Sequence, residues 1–319
     1  MLHRTSESVN EQVKGKKFLV VGGAGFIGSH IVERLAGLGA SVIALDDFSN
    51  GKLANLPKAD TVNSIQGDVR TFDFGSLGKV DGVFNEAARA LLPSFEDPLT
   101  DLAVNTGGAA RVLEYARKFD VKVVHASSGS VYGNPIEVPI KESHPLNPIS
   151  PYGCSKLASE FYCSMYHRDY GLEVTALRYF NVYGPRQTVS EEMGVIPIFV
   201  KRALGRQPLR IFGDGKQTRD FLNVKDVVDA NLLAYASERS VGQVMNVGGG
   251  GMEVSIEDLA RMVMEYCGYD IPLMHADPKP GDIRRLSADN SCAKSLIGYV
   301  PSVPLEDGLK QYIEYARGI

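Results

Sequence analysis

Residues 17–30, KFLVVGGAGFIGSH, pass from an apolar run through a glycine cluster into an amphipathic pattern. Phe18 to Val21 lack polar alternation, the mark of a strand buried on both faces. Gly22, Gly25 and Gly28 recur at three-residue intervals across the turn into a helix expected over 27–38. Gly22 suits the tight turn, Gly25 lets backbone amides approach a pyrophosphate, and Gly28 lets the helix sit close on the sheet. The amino end of that helix offers free N–H groups to an anion. A glycine triplet alone also fits an ordinary tight turn, but the next segment narrows the choice. Residues 41–45 form a second apolar strand, and Asp46 stands at its end, about 20 residues beyond the glycines, where an acid would hold a ribose hydroxyl. Asp46 would repel a 2′-phosphate and no arginine follows until Arg70, which favours NAD over NADP, with Lys52 the nearest cation.

The 319 residues suffice for one large or two ordinary domains, and 44% hydrophobic with 23% charged residues is the balance of a soluble globular chain. A formal net charge of −4 and the absence of a lysine- and arginine-rich block give no general attraction to nucleic acid or anionic membrane. Any anionic ligand therefore needs a local site. Cys154, Cys163, Cys267 and Cys292 have neither metal-ligand spacing nor a disulfide framework, so free thiols in a reducing cytoplasm are expected. The first residues are polar and read as a frayed tail, and no later apolar run is long enough for a membrane span. The six histidines have no partners at ligand spacing, His125 reading as a core residue, and no metal site is expected.

Further strands are expected over 62–66, 80–84, 121–126 and 172–180, with helices over 99–118 and 152–169. Alternating strands and helices imply right-handed crossovers and an α/β fold built on a doubly wound parallel sheet, with ligands beyond the carboxyl ends of the strands. Asp68, after the third strand, either accepts from an adenine amino group or is a solvated turn acid. Ala87 and Ala88, after the fourth, permit a second close approach to a cofactor. From Asn181 onward prolines and glycine turns change the rhythm, and residues 221–237 suggest a strand and helix returning to the sheet. Ile256–Cys267 and Leu305–Arg317 are the clearest later helices.

The strand over 121–126 delivers Ser127 and Ser128 to the ligand edge. Ser150 then suits an N-cap and Pro151 the first helical position. Tyr152 and Lys156, four apart, share a helix face. A neighbouring ammonium and a cationic nicotinamide would both favour phenolate, making Tyr152 a usable base near neutrality, with Ser128 sharing or relaying the proton. An isolated pair at this spacing is commonly a surface pair; here it follows the glycine turn, the acid and the serine strand end in order.

That ordered set resembles the extended short-chain dehydrogenase/reductase family, and within it NAD-dependent nucleotide-sugar epimerases of the UDP-glucose 4-epimerase type. The resemblance runs through GGAGFIGSH, GDV, SSGSVYG, SPYGCSK, LRYFNVYGP, FGDGKQTRDFLNV, NVGGG and PGDIRRLSAD. It implies a Rossmann domain binding NAD over 15–180 plus about 217–240, a smaller discontinuous α/β nucleotide-sugar domain over 181–216 plus 241–319, and a flexible tail over 1–14. Catalysis would rest on Ser128, Tyr152 and Lys156. Cofactor contacts would come from Gly22, Gly25, Phe26, Ile27, Gly28, Asp46, Asn50, Asp68, Val69, Ala87, Ala88, Asn105 and Ser127, together with Tyr152 and Lys156. Substrate contacts would come from Ser128, Asn181, Arg219, Lys279 and Arg284. The implied reaction takes a proton from the sugar 4-hydroxyl and a hydride from C4, turns the 4-keto sugar over and returns the hydride. The implied substrate is UDP-linked, and the implied assembly is a homodimer through helices 99–118 and 152–169.

Related 4,6-dehydratases and UDP-glucuronate decarboxylases carry extra acids after the catalytic threonine or before the VYG. This chain has Gly129 and Ser130 there, which favours epimerisation. Asn85 replaces the histidine common in such epimerases, and Arg89 follows, either facing an acidic sugar or sitting in a surface ion pair. Lys279 stands where an arginine often grips the diphosphate, and the intermediate size of Leu286 leaves N-acetylated sugars open. The competing readings are a dehydratase, an epimerase of UDP-glucuronate or UDP-N-acetylhexosamine, and a non-catalytic NAD-binding sensor.

Overall fold

The computed structural model describes residues 7–187, 194–278 and 283–318. The strands β1 (Lys17–Val21), β2 (Ser41–Asp46), β3 (Val62–Gln66), β4 (Gly82–Asn85), β5 (Lys122–Ser128) and β6 (Val174–Tyr179) join an edge strand Val244–Val247 in one sheet. The order is Val244–Val247, β6, β5, β4, β1, β2, β3, and every neighbouring pair is parallel. The chain thus winds outward from β1 in both directions, and the crevice at the ligand edge opens between β1 and β4.

Successive strand residues point to opposite faces, which explains the unbroken apolar run of β1. Phe18 and Val20 join Ile31 and Leu35 of α2 (Phe26–Gly37) and Val227, Leu232 and Tyr235 of the helix Val224–Ala236 on one face. Leu19 and Val21 join Val83, Leu113, Val123 and Tyr166 on the other. A third core unites the helices Val195–Leu204, Ile256–Cys267 and Leu305–Arg317 through Phe199, Leu259, Val263, Leu309 and Tyr312. The boundaries of Ile256–Cys267 are local chemistry: the Ser255 hydroxyl accepts from the Asp258 amide at 3.0 Å, and Gly268 ends the helix at φ 78°.

The structure adds detail to three of these expectations. The tail expected over 1–14 is helical in part: α1 (Glu7–Val13) buries Val9 and Val13 in the α2 face of the core, because two apolar residues four apart share one helix side. Beyond residue 240 the chain returns to the sheet: Val244–Val247 pairs with β6, and the helix Ser291–Ile297 adds Ala293 and Ile297 to the sheet core. The helix expected over 99–118 is three pieces, Pro98–Leu102, a π-helical turn Ala103–Gly107 and Gly108–Phe119. Such turns often mark functional positions, and this one holds Asn105.

Candidate active site

The glycine turn is shaped by close approach. Gly22 lies at φ 76°, and a Cβ there would stand 2.7 Å from the Ala87 amide nitrogen. A Cβ on Gly28 would stand 2.1 Å from the Gly22 carbonyl oxygen. Gly25 occupies the N-cap of α2 without a side-chain cap, so the first turn, including Phe26 and Ile27, presents amides to the crevice. An uncapped helix start beside a turn with no side chains fits a dinucleotide pyrophosphate.

Asp46 ends β2 beside this turn. Its Oδ2 accepts from the Ala24 amide at 2.9 Å and its Oδ1 from the Phe48 amide at 2.9 Å, so the carboxylate expected to hold a ribose hydroxyl also braces the glycine loop. Burial raises its pKa above the ordinary carboxylate value. Gly51, which the sequence reading overlooked, closes over it: a Cβ there would lie 2.6 Å from Asp46 Oδ1. Asn50 is exposed. Val69 is buried against Gly108. Asp68 forms an ion pair with Arg70 at 2.5 Å, the geometry of its turn-acid alternative.

On the other side of β1, the ends of β4, β5 and β6 meet the helix Pro151–Tyr170. Ser150 caps that helix by accepting from the Gly153 amide at 3.0 Å, and Pro151 starts it, as the sequence predicts. The Lys156 ammonium lies 5.9 Å from the centre of the Tyr152 ring and donates to the Ala126 carbonyl at 2.8 Å. Ser128 lies close enough to the Tyr152 phenol to lower its pKa, and its hydroxyl accepts from the Ser130 amide at 3.1 Å. The three residues expected to do the chemistry are therefore together. Burial pushes Tyr152 up to about 12 and Lys156 down to about 8. Desolvation of the phenolate holds Tyr152 protonated here, so its expected use as a base depends on the positive charge that a bound nicotinamide would add.

Several expected cofactor contacts have protein partners. The Ser127 hydroxyl donates to Glu160. Asn105 accepts from the Arg89 amide at 2.7 Å and donates to Asp101 at 2.8 Å and Ser155 at 3.0 Å, tying the π-helical turn to the Tyr152 helix. Ala87 forms the wall opposite Gly22, and Ala88 is exposed beside it. The Arg89 guanidinium reaches the Pro93 carbonyl at 3.4 Å, within its own loop. Glu86 and Tyr179, which the sequence reading did not single out, also face this side, with the Tyr179 hydroxyl 3.0 Å from Glu86 Oε1. His125 is a core residue as expected, bonded to Asn85 at 3.1 Å and Ser159 at 2.9 Å, with burial pushing its pKa down to about 3. Asn85 thus stands beside a histidine that the fold already supplies from β5. All four cysteines are free, and no cluster of possible metal ligands occurs among the described residues.

A cavity of about 380 Å³ adjoins the crevice, lined by Asn181, Gln187, Arg210, Phe212, Gln217 and Arg219 among others. Asn181 sits at φ 43° and donates to the Asp220 carbonyl at 3.2 Å. Arg219 donates to the carbonyls of Thr218 at 2.8 Å and Ile283 at 2.7 Å, which aims a cationic side chain along the wall. Arg284 is not among the lining residues: it is exposed and pairs with Asp214 at 2.7 Å. Lys279 lies outside the described residues. Phe212 and Gln217 lie in the FGDGKQTRDFLNV segment without having been singled out, and Arg210, outside it, becomes visible only once the strand Leu209–Phe212 is seen to edge the cavity. A larger groove of about 610 Å³ beside Arg111 and Lys118 contains none of the expected site residues.

A doubly wound sheet with an uncapped glycine turn and a serine, tyrosine and lysine at its ligand edge defines a dinucleotide-dependent enzyme of the short-chain dehydrogenase/reductase type. The chain belongs to the NAD dependent epimerase/dehydratase family, whose model matches residues 18–248. It is 41% identical over 306 residues to a putative UDP-glucose 4-epimerase of Methanocaldococcus jannaschii, covering 94% of this chain and 98% of that one. Its fold superposes on the UDP-glucose 4-epimerase of Thermotoga maritima, solved with UDP-glucose, with a TM-score of 0.89 and 39% identity over 95% of this chain and 99% of that one. A UDP-N-acetylglucosamine 4-epimerase of Methanobrevibacter ruminantium is similar at a TM-score of 0.92 and 35% identity, over 96% and 99%.

Proposed function

We propose that the protein is an NAD-dependent 4-epimerase acting on a UDP-linked hexose of the glucose and galactose type. The observation that carries this reading is the convergence of Ser128, Tyr152 and Lys156 beside a Gly129 that has no room for an acidic side chain. A Cβ on Gly129 would stand 2.9 Å from the buried ring of Phe180, so a carboxylate there would require that ring to move. Dehydration needs a second group to handle a second proton, and epimerisation does not.

NAD, when bound, accepts a hydride from the sugar and gives it back. The chain's residues do the rest. Tyr152 takes the proton from the 4-hydroxyl and returns it, Ser128 holds the reacting oxygen beside the phenol, and Lys156 supplies positive charge below the ring. Gly22, Gly25, Phe26, Ile27 and Gly28 would cradle the pyrophosphate, while Asp46, Asn50, Asp68 and Val69 would border the adenosine half and Ala87, Ala88, Asn105 and Ser127 would wall the other half. Asn181 and Arg219 would hold the substrate diphosphate, for which an arginine fork is suited. Arg284 and Lys279 are proposed only as flanking charge. Leu286 packs against the core cluster that contains Tyr132 and Phe180.

The test is incubation with UDP-glucose, UDP-galactose, UDP-N-acetylglucosamine, UDP-glucuronate and dTDP-glucose, with separation and mass analysis of the products. The expected result is interconversion of UDP-glucose and UDP-galactose at unchanged mass. A product lighter by one water would replace the reading with a dehydratase, and NAD binding without turnover of any of them would make the protein a sensor.

We propose a homodimer as well, formed through the helices Pro98–Leu102, Gly108–Phe119 and Pro151–Tyr170. Leu99, Leu102, Phe161 and Tyr162 are exposed on them, Leu99 at 79% and Phe161 at 61% of their full areas. Apolar groups gathered on packed helices favour a second copy. Sedimentation equilibrium is expected to give twice the 34.6 kDa of the chain. A Leu99→Asp, Phe161→Glu variant should give the single-chain mass, and a wild-type protein sedimenting at that mass would refute the dimer. A cytoplasmic setting is proposed on the four free thiols. No helix among the described residues is long and apolar enough to cross a membrane.

A further inference from the structure

The ligand edge is divided by β1. Asp46 and Asp68 lie on the β2 and β3 side, while Ser128, Tyr152 and Lys156 lie on the β4, β5 and β6 side, so the redox end of the dinucleotide belongs with the second group. That side also holds a carboxylate that the proposed chemistry leaves unused. Glu86 directly follows β4, and its backbone neighbour Ala87 forms the wall facing Gly22. Its Oε1 accepts from the Tyr179 hydroxyl at 3.0 Å, and Tyr179 in turn accepts from Asn231 at 2.8 Å. Its Oε2 is buried and has no hydrogen-bond partner.

A half-satisfied carboxylate removed from water is costly unless a positive charge faces it. The nearest cation, Lys156, directs its ammonium to the Ala126 carbonyl. Glu86 nevertheless acts electrostatically on Lys156, Tyr152 and Tyr179, the groups that border the reacting end of the crevice. Burial pushes its pKa up to about 7 in the cofactor-free protein, and a cation placed alongside would draw it back to the charged form.

We infer that Glu86 is the counter-charge to the oxidised nicotinamide ring and biases bound cofactor toward NAD over NADH. This rests on NAD being the cofactor. The oxidised ring is cationic and the reduced ring neutral, so a fixed negative charge stabilises one and is indifferent to the other. The bias suits an enzyme that must regain NAD in every cycle, because a cofactor left reduced after loss of the keto sugar is a dead end.

Glu86→Gln keeps the size of the side chain and its bond to Tyr179 while removing the charge. Titration of the full chain with NAD and with NADH reads the effect directly. The variant is expected to bind NAD about tenfold more weakly and NADH within about twofold of wild type, which for a two-electron couple is an upward shift of about 30 mV. Glu86→Ala, melting as one cooperative transition, is expected to change the ratio in the same direction. An unchanged ratio in folded variants, or equal losses for both forms, overturns the inference and leaves the cofactor assignment standing. Wild-type protein that binds neither form overturns both.

Discussion

Tyr152→Phe is expected to lower turnover by about three to four orders of magnitude, the full range of a positioned acid–base group, while NAD affinity stays within about twofold. The substitution removes one hydroxyl and little else. Ser150 and Pro151 still start the helix, the ring still fills its place, and Lys156 still reaches the Ala126 carbonyl. What disappears is the hydroxyl beside Ser128 that would exchange a proton with the sugar. Ser128 is too weak an acid to replace it, so the residual rate should reflect binding and orientation alone. Initial rates with UDP-glucose, set beside an NAD titration of the same preparation, measure the two quantities. Activity within tenfold of wild type would remove Tyr152 from the chemistry.

The largest stability effect is expected at Arg178. Its Nε donates to Glu160 Oε1 at 2.8 Å, its Nη2 to Oε2 at 2.7 Å and its Nη1 to the Tyr132 hydroxyl at 2.6 Å. Tyr132 passes the network on to Asn246 at 2.7 Å, in the edge strand Val244–Val247. Both charged side chains are about 95% buried, at 5% and 3% exposure. Arg178→Met would leave the Glu160 carboxylate in the interior with Ser127 as its remaining side-chain donor. Breaking such a pair from one side costs about 3–5 kcal/mol. Replacing both partners, as Arg178→Met with Glu160→Leu, should recover most of that, because no charge is then stranded. Guanidinium unfolding of the three proteins gives the comparison, and a loss below about 1 kcal/mol in the single variant would contradict the argument. The site shares this anchor: Tyr152, Lys156 and Glu160 recur every four residues on one helix face, so the pair that locks Glu160 to β6 also aims the phenol.

Local signals carried much of this architecture. The apolar run, the glycine spacing and the acid at the end of β2 identify the first strand, turn and helix, because burial on two faces and close backbone approach leave only certain residue types. Serine and proline mark the start of Pro151–Tyr170, and the helices Ile256–Cys267 and Leu305–Arg317 appear where their periodicity ends. Less was legible where partners are remote. Nothing near Val9 announces the helix Val224–Ala236 as its packing partner, and nothing near Val244 announces β6. Arg219 and Arg284 sit in similar motif contexts, yet one lines the cavity and the other pairs with Asp214 at the surface.

The doubly wound sheet, the dinucleotide turn and the tyrosine–lysine helix could be read along the chain, since each is written in residues within a few positions of one another. Tertiary structure alone decided which charges are useful. Glu86 meets Tyr179 across 93 residues, and Asn105 meets Ser155 across 50. Burial, not composition, pushes Tyr152 up and Lys156 down. The physical reason is that propensity and spacing act along the chain, whereas desolvation depends on what the finished fold packs around a group.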